Sequence, residues 1–124
     1  MSRVISYLAC PYDDPNEVIR VSRVHAATKA AGALMVRFPD RIVYSPITHH
    51  DAIASFVPLP HSWVFWEKYC FGYLSAASDL IVLTLPGWEE SVSVRGEMEI
   101  ATAMGLPIYM LSRPHSKLVQ FYTR

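Results

Sequence analysis

The sequence predicts an α/β protein: an open parallel sheet flanked by helices, strand order 2-1-3-4, with a fifth short strand left open. Two observations carry this. Apolar β-prone runs alternate along the chain with segments of helical periodicity, the pattern of a parallel sheet covered on both faces. One run, Asp79 to Leu85, is apolar throughout rather than alternating, as a central strand buried on both sides must be. A chain of 124 residues with 52% apolar residues fits one domain around one core, residues 1–124.

Each element has its own local signature. Val4 to Ala9 is a short β-prone run that ends in Cys10-Pro11-Tyr12-Asp13-Asp14-Pro15, a turn dense in proline and aspartate. From Asn16 to about Leu34, Val18, Val21, Val24, Ala27, Ala31 and Leu34 recur at helical spacing, and Gly32 lies near the expected end. Arg41 to Ser45 is the second strand, closed by Pro46, and Ile47 to Phe56 carries a weaker helical pattern. His61 to Ala77 is free of proline and places Trp63, Trp66, Tyr69, Cys70, Tyr73 and Leu74 mainly on one side of a helix. After the Asp79 strand, a helix stops at Gly105, Leu106 to Leu111 forms strand four, and Arg113 to Tyr122 is a short element of open type. No repeat, linker or low-complexity segment interrupts the series.

Bulk chemistry narrows the function classes. Eleven basic and eleven acidic residues are mixed along the chain, giving no field to hold a nucleic-acid polymer. The two cysteines lack disulfide-framework or metal-ligand spacing, which suits a reducing compartment. The first apolar run is too brief for a signal peptide or a membrane span, so a cytoplasmic, membrane-free protein is expected.

In an open α/β sheet the ligand crevice lies beyond the strand carboxyl ends where the strand order reverses. Here that point brings together the Cys10–Pro15 loop and the Pro86–Glu97 turn. At about 100° per residue, Val94, Met98, Ala101, Met104 and Ile100 share one helix face, with Arg95, Glu99 and Thr102 opposite. Glu97 falls inside the apolar stripe, where a carboxylate needs partners or a task. Burial favours its neutral form and the helix N-terminus its charged form; the sequence leaves the balance open. Tyr7 has two readings, a hydrogen-bond partner of that carboxylate or a core tyrosine with a satisfied hydroxyl. Ser91 and Ser93 stand at the helix start, either as anion ligands or as N-caps.

Trp63, Trp66 and Trp88 are candidates for stacking a base, with Trp88, in the cleft loop, the foremost. His49, His50 and Asp51 do not form a metal set, because adjacent histidines point apart, and neither a metal nor any other cofactor is expected. Gly-x-Gly-x-x-Gly, Walker-type and Gly-x-Ser-x-Gly motifs are absent from the sequence.

Tyr7-Leu8-Ala9 with Pro11-Tyr12, the Asp79 strand, Pro86-Gly87-Trp88-Glu89-Glu90-Ser91, Gly96-Glu97-x-x-x-Ala101 and Gly105-Leu106-Pro107 together resemble the nucleoside 2-deoxyribosyltransferase-like superfamily, which includes the 2′-deoxynucleoside 5′-monophosphate N-glycosidases. The Pro86–Ser91 loop is similar to that of a small bacterial and phage branch. The resemblance implies a flavodoxin-like or Rossmann-like sheet, Glu97 as nucleophile at the anomeric carbon and Tyr7 as the residue orienting it. It also implies phosphate contacts from Ser91 and, across a subunit boundary, from Ser116, hence a homodimer or higher homo-oligomer. Pro11, Gly87, Trp88 and Ser93 complete the expected substrate contacts. Active members carry an aspartate eight residues before the strand aspartate; here that position is Phe71, and Glu67, one turn earlier, or Asp51 is the candidate substitute. The glycine-rich phosphate loop of the monophosphate hydrolases is replaced by Cys10–Pro15.

The expected function is therefore cleavage or transfer of the N-glycosidic bond of a nucleoside or nucleoside 5′-monophosphate. The alternatives are a non-catalytic nucleotide- or metabolite-binding module of the same fold and a flavodoxin-like carrier.

Overall fold

The computed structural model describes residues 3–122. Strand β1 (Val4–Ala9) leads into α1 (Glu17–Arg37), followed by β2 (Arg41–Tyr44) and α2 (Pro46–Ala54). Then come α3 (Trp63–Ala76), β3 (Asp79–Leu83), α4 (Val92–Ala103), β4 (Ile108–Leu111) and β5 (Val119–Phe121). The sheet order is β2-β1-β3-β4-β5, a flavodoxin-like open sheet in which the first four strands are parallel. β5 closes the edge antiparallel to β4. Its three residues are all exposed, and the Val-Gln-Phe alternation is too short to mark a strand in the sequence.

The period of two along the central strands divides the core. Leu8 and Cys10 of the β1 edge, with Ile81 and Leu83 of β3, pack under Ala27, Ala30, Ala31 and Leu34 of α1. Tyr7, Ala9, Leu80 and Val82 face the other way, onto Cys70 and Leu74 of α3 and Val94 and Ala101 of α4. Tyr7 and Glu97 are therefore on the same side of the sheet. All five β3 residues are buried, as expected for the central strand.

Helix α1 runs to Arg37, three residues beyond the end expected near Leu34. The buried stripe of Ala30, Ala31 and Leu34 runs past the glycine, and packing outweighs the ~1 kcal/mol propensity cost of one helical glycine. Gly105 does mark the end of α4, with φ +73° just beyond the Met104 cap. Side-chain caps fix the starts of α1 and α2: Asn16 accepts from the Val18 amide (2.9 Å) and Ser45 from the Thr48 amide (3.4 Å). Among the described residues no helix is long and apolar enough to cross a membrane.

At the amino end of the strands, Arg41 on β2 reaches across β1. It donates to Ser6 Oγ and Asp79 Oδ2, each at 2.8 Å. Asp79 is buried, and its Oδ1 has no hydrogen-bond partner, so this carboxylate depends on Arg41. The pair pins three strands in register at the end opposite the loops. Arg41→Ala should cost about 3 kcal/mol by leaving a buried carboxylate uncompensated, measured as a lowered urea midpoint.

Candidate active site

Beyond the carboxyl ends of β1 and β3 lies a cleft of about 390 Å³. The two segments expected to meet there do so. Cys10, Tyr12 and Asp13 come from the β1–α1 loop, and Glu90, Ser91, Val92, Ser93 and Glu97 from the start of α4 and its lead-in. The remaining wall is built by Pro46, Ile47 and His50 of α2 and by His61, Ser62, Trp63, Val64, Trp66 and Cys70 at the front of α3.

Arg23 of α1 holds the two loops together. Its guanidinium donates to the carbonyls of Tyr12 (3.4 Å) and Asp13 (3.1 Å) in one loop and to that of Pro86 (3.3 Å) in the other. Sequence reasoning missed this residue, since three carbonyl acceptors from distant segments leave no spacing signature. Gly96 was also passed over as a packing position: any Cβ there would collide with the Trp63 indole. A glycine immediately before Glu97 is what lets that ring lie against α4 and form the cleft wall.

Glu97 is the chemical centre. It is 3% exposed, lines the cleft, and receives a 2.5 Å hydrogen bond at Oε2 from the Tyr7 hydroxyl, leaving Oε1 for a ligand. Tyr7 is itself 1% exposed, so its two sequence readings hold together: a core tyrosine whose hydroxyl is satisfied by the carboxylate. Burial raises the Glu97 carboxyl from an ordinary 4.5 to about 8, against the opposing effect of hydrogen bonds from Tyr7 and the Cys70 thiol. Burial wins because Glu97 is the sixth residue of α4, past the first turn where the helix terminus acts. Desolvation also raises Tyr7 well above its usual range, and pushes both cleft thiols, Cys10 and Cys70, to about 12. The neighbours of Glu97 are thus neutral hydrogen donors.

The other expected contacts divide. Ser91 and Ser93 line the cleft, with their hydroxyls 3.2 Å apart, but Ser91 is also the N-cap of α4, accepting from the Val94 amide at 3.3 Å. Trp88 is not in the cleft wall; it packs half-buried against the α3–α4 core, whereas Trp63 and Trp66 are the lining indoles. Trp63 and Trp66 pack against that same core as well, on the α3 face whose front turn borders the cleft. His50 stacks on Trp66, centroids 3.6 Å apart and 15° between planes, and burial lowers it to about 4.

Gly87 sits in a turn closed by the Trp88 amide on the Leu85 carbonyl (3.0 Å) and takes φ +92°. With Pro86 before it, that is a type II arrangement, so its task is backbone geometry rather than substrate contact. Pro11 is fully buried and is not part of the wall. Glu67 is exposed and off the wall, and Phe71 is 53% exposed. Measured from Trp63, Glu67 and Phe71 lie about 40° and 80° round the helix to one side, and Trp66 and Cys70 to the other. Cys70, not position 71, therefore faces Glu97 from α3. Asp51 is also exposed and absent from the wall.

Ser116 lies away from the cleft of its own chain. Its hydroxyl accepts from Ser112 (3.0 Å) and its carbonyl from Arg37 (2.8 Å). Among the described residues no group of three histidines, cysteines or carboxylates is placed to hold a metal ion.

The family model described as a domain of unknown function, DUF1937, matches residues 4–113. That span contains every residue of the cleft wall. No curated protein matches the chain.

A carboxyl whose folded pKa is raised contributes stability in full below about pH 4.5 and loses it as pH climbs through about 8. Stability should therefore fall between those values as Glu97 is forced to ionise in a desolvated site. Glu97→Gln should flatten that slope and stabilise the protein above pH 8 by on the order of a few kcal/mol, read from denaturant midpoints across pH.

Proposed function

The chain belongs to the DUF1937 family, and we propose that it cleaves or transfers the N-glycosidic bond of a nucleoside or nucleoside 5′-monophosphate, with Glu97 as nucleophile and Tyr7 orienting it. The observation that carries this reading is one buried carboxylate at the switch-point crevice, fixed at Oε2 by a buried tyrosine and available at Oε1. The resemblance of the Tyr7 and Gly96-Glu97 segments to the nucleoside 2-deoxyribosyltransferase-like superfamily supports the same assignment. Attack by Oε1 on the anomeric carbon would give a glycosyl-enzyme, which water or a second base resolves. The indoles of Trp63 and Trp66 offer apolar faces for a base, and Ser91 and Ser93 offer hydroxyls to the sugar or its phosphate.

A second reading, a non-catalytic module that binds the same ligands, is favoured by the Glu97 carboxyl itself. At about 8 it is mostly protonated at neutral pH, a state suited to hydrogen bonding rather than attack. The two readings part on one substitution, because glutamine mimics the neutral acid but cannot attack.

Incubation with ribo- and deoxyribonucleosides and their monophosphates, with and without an acceptor base, should yield free or exchanged base. Glu97→Gln should abolish it, by about a thousandfold or more. Saturable binding retained equally by both forms, with no turnover in either, would establish the binding module instead. The kcat/KM profile should rise with pH toward about 8 as Glu97 ionises. Tyr7→Phe, by removing a hydrogen bond that lowers Glu97, should move that limb to higher pH.

The same reading carries a homo-oligomer in which Ser116 serves the cleft of a neighbouring copy. Light scattering should give a dimer or larger; a strict monomer would remove Ser116 from the site. A cytoplasmic setting accords with both cysteines being free, buried thiols.

A further inference from the structure

Nucleophilic attack at the anomeric carbon accounts for only half of the bond exchange. A purine or pyrimidine leaving C1′ carries away an electron pair and departs readily only if a proton reaches it. Most of the proton-bearing groups of the cleft are unsuited to that task. Glu97 is the attacking group, Cys10 and Cys70 are thiols pushed to about 12, and His50, lowered to about 4, is neutral and stacked on Trp66.

One pair is differently built. His61, just before α3, and Asp13, in the β1–α1 loop, are 48 residues apart in sequence and meet with Nδ1 2.5 Å from Oδ1. Both line the cleft, and both are about half exposed, so the pair is in contact with solvent as well as with any occupant. Tyr12 meets the His61 ring edge-on, centroids 6.3 Å apart at 77°, and Arg23 holds the Asp13 carbonyl. A carboxylate on Nδ1 fixes that nitrogen as a donor and leaves Nε2 for the ligand, the arrangement by which a carboxylate orients a catalytic imidazole.

We propose that His61, oriented by Asp13, is the general acid that protonates the departing base; this role rests on the reading of Glu97 as nucleophile. In the first step Glu97 Oε1 bonds to C1′ as the C1′–N bond breaks, its electron pair goes to the base, and the His61 imidazolium gives its Nε2 proton to a base nitrogen or oxygen. In the second, water attacks C1′, the Glu97 carboxylate leaves, and neutral His61 takes the water's proton. Nucleoside and water become sugar and base, with both side chains restored. Asp13 is a positioning residue, acting only through His61.

The test uses leaving groups that differ in their need for a proton. A purine nucleoside methylated at N7 already carries a positive charge and releases a neutral base unaided; its unmethylated counterpart does not. His61→Ala should lower kcat/KM on the unmethylated nucleoside by about 100-fold or more and on the methylated one by less than about threefold. Asp13→Asn should show the same dependence on leaving group with a smaller loss. His61 is half exposed, so an unchanged melting temperature is expected and separates the effect from unfolding. Equal losses on both substrates would assign His61 to binding or structure and overturn the proposal. A wild-type protein inert on both would overturn the glycosyl reading and this role with it, whereas undiminished activity of His61→Ala on the unmethylated nucleoside, with none in Glu97→Gln, would leave the nucleophile standing and remove the acid.

Discussion

A carboxylate buried against a tyrosine is the constraint around which the cleft is organised. Glu97 is enclosed almost completely, and an ionised carboxylate in such a place is too costly to keep without donors. Tyr7 supplies one at Oε2, and the cost that remains appears as a carboxyl pushed to about 8. Everything that holds Tyr7 and α4 in place then bears on the site. β1 must present Tyr7 to the α3–α4 side, which fixes its register against β2 and β3. The Arg41 bridge to Ser6 and Asp79 secures that register from the far end of the strands.

The loops carry a comparable burden. The β1–α1 loop and the β3–α4 turn belong to different crossovers and share no backbone ladder. Arg23 joins them by carbonyl acceptors from both. Gly87 gives the second its reversal, and Gly96 gives Trp63 room against α4. The result is a pocket with a polar floor at Glu97 and an aromatic side at Trp63, Trp66 and His50. Its polar residues carry more acid than base: Asp13, Glu90 and Glu97 face only histidines, and neither lysine nor arginine is in the wall. An uncharged ring and sugar suit that lining better than a strongly anionic ligand does.

Much of this was legible in the amino-acid sequence. The order of strands and helices followed from the alternation of apolar and amphipathic runs, and β3 from its unbroken apolarity. Glu97 stood out because a charge in an apolar stripe is a local anomaly, visible at helical spacing without any coordinates. What misled was angular detail. Trp88 looked like a cleft residue because it lies in the cleft turn, yet it packs on the α3–α4 core away from the wall, while Trp63 and Trp66 pack on that same core and line the opening as well. Position 71 drew notice for lacking an acid, although an acid on that exposed flank of α3 would not have met Glu97.

The sequence by itself determined the fold class, the switch point and the one carboxylate that had to be explained, because each is a matter of periodicity along a single segment. Only the tertiary structure decided the partners. Tyr7 with Glu97, 90 residues apart, Asp13 with His61, and Arg23 with two loops are contacts made by bringing distant segments to one edge of the sheet. It also settled the balance that the sequence left open at Glu97, since desolvation depends on how completely neighbouring elements close over a group, and no local pattern records that.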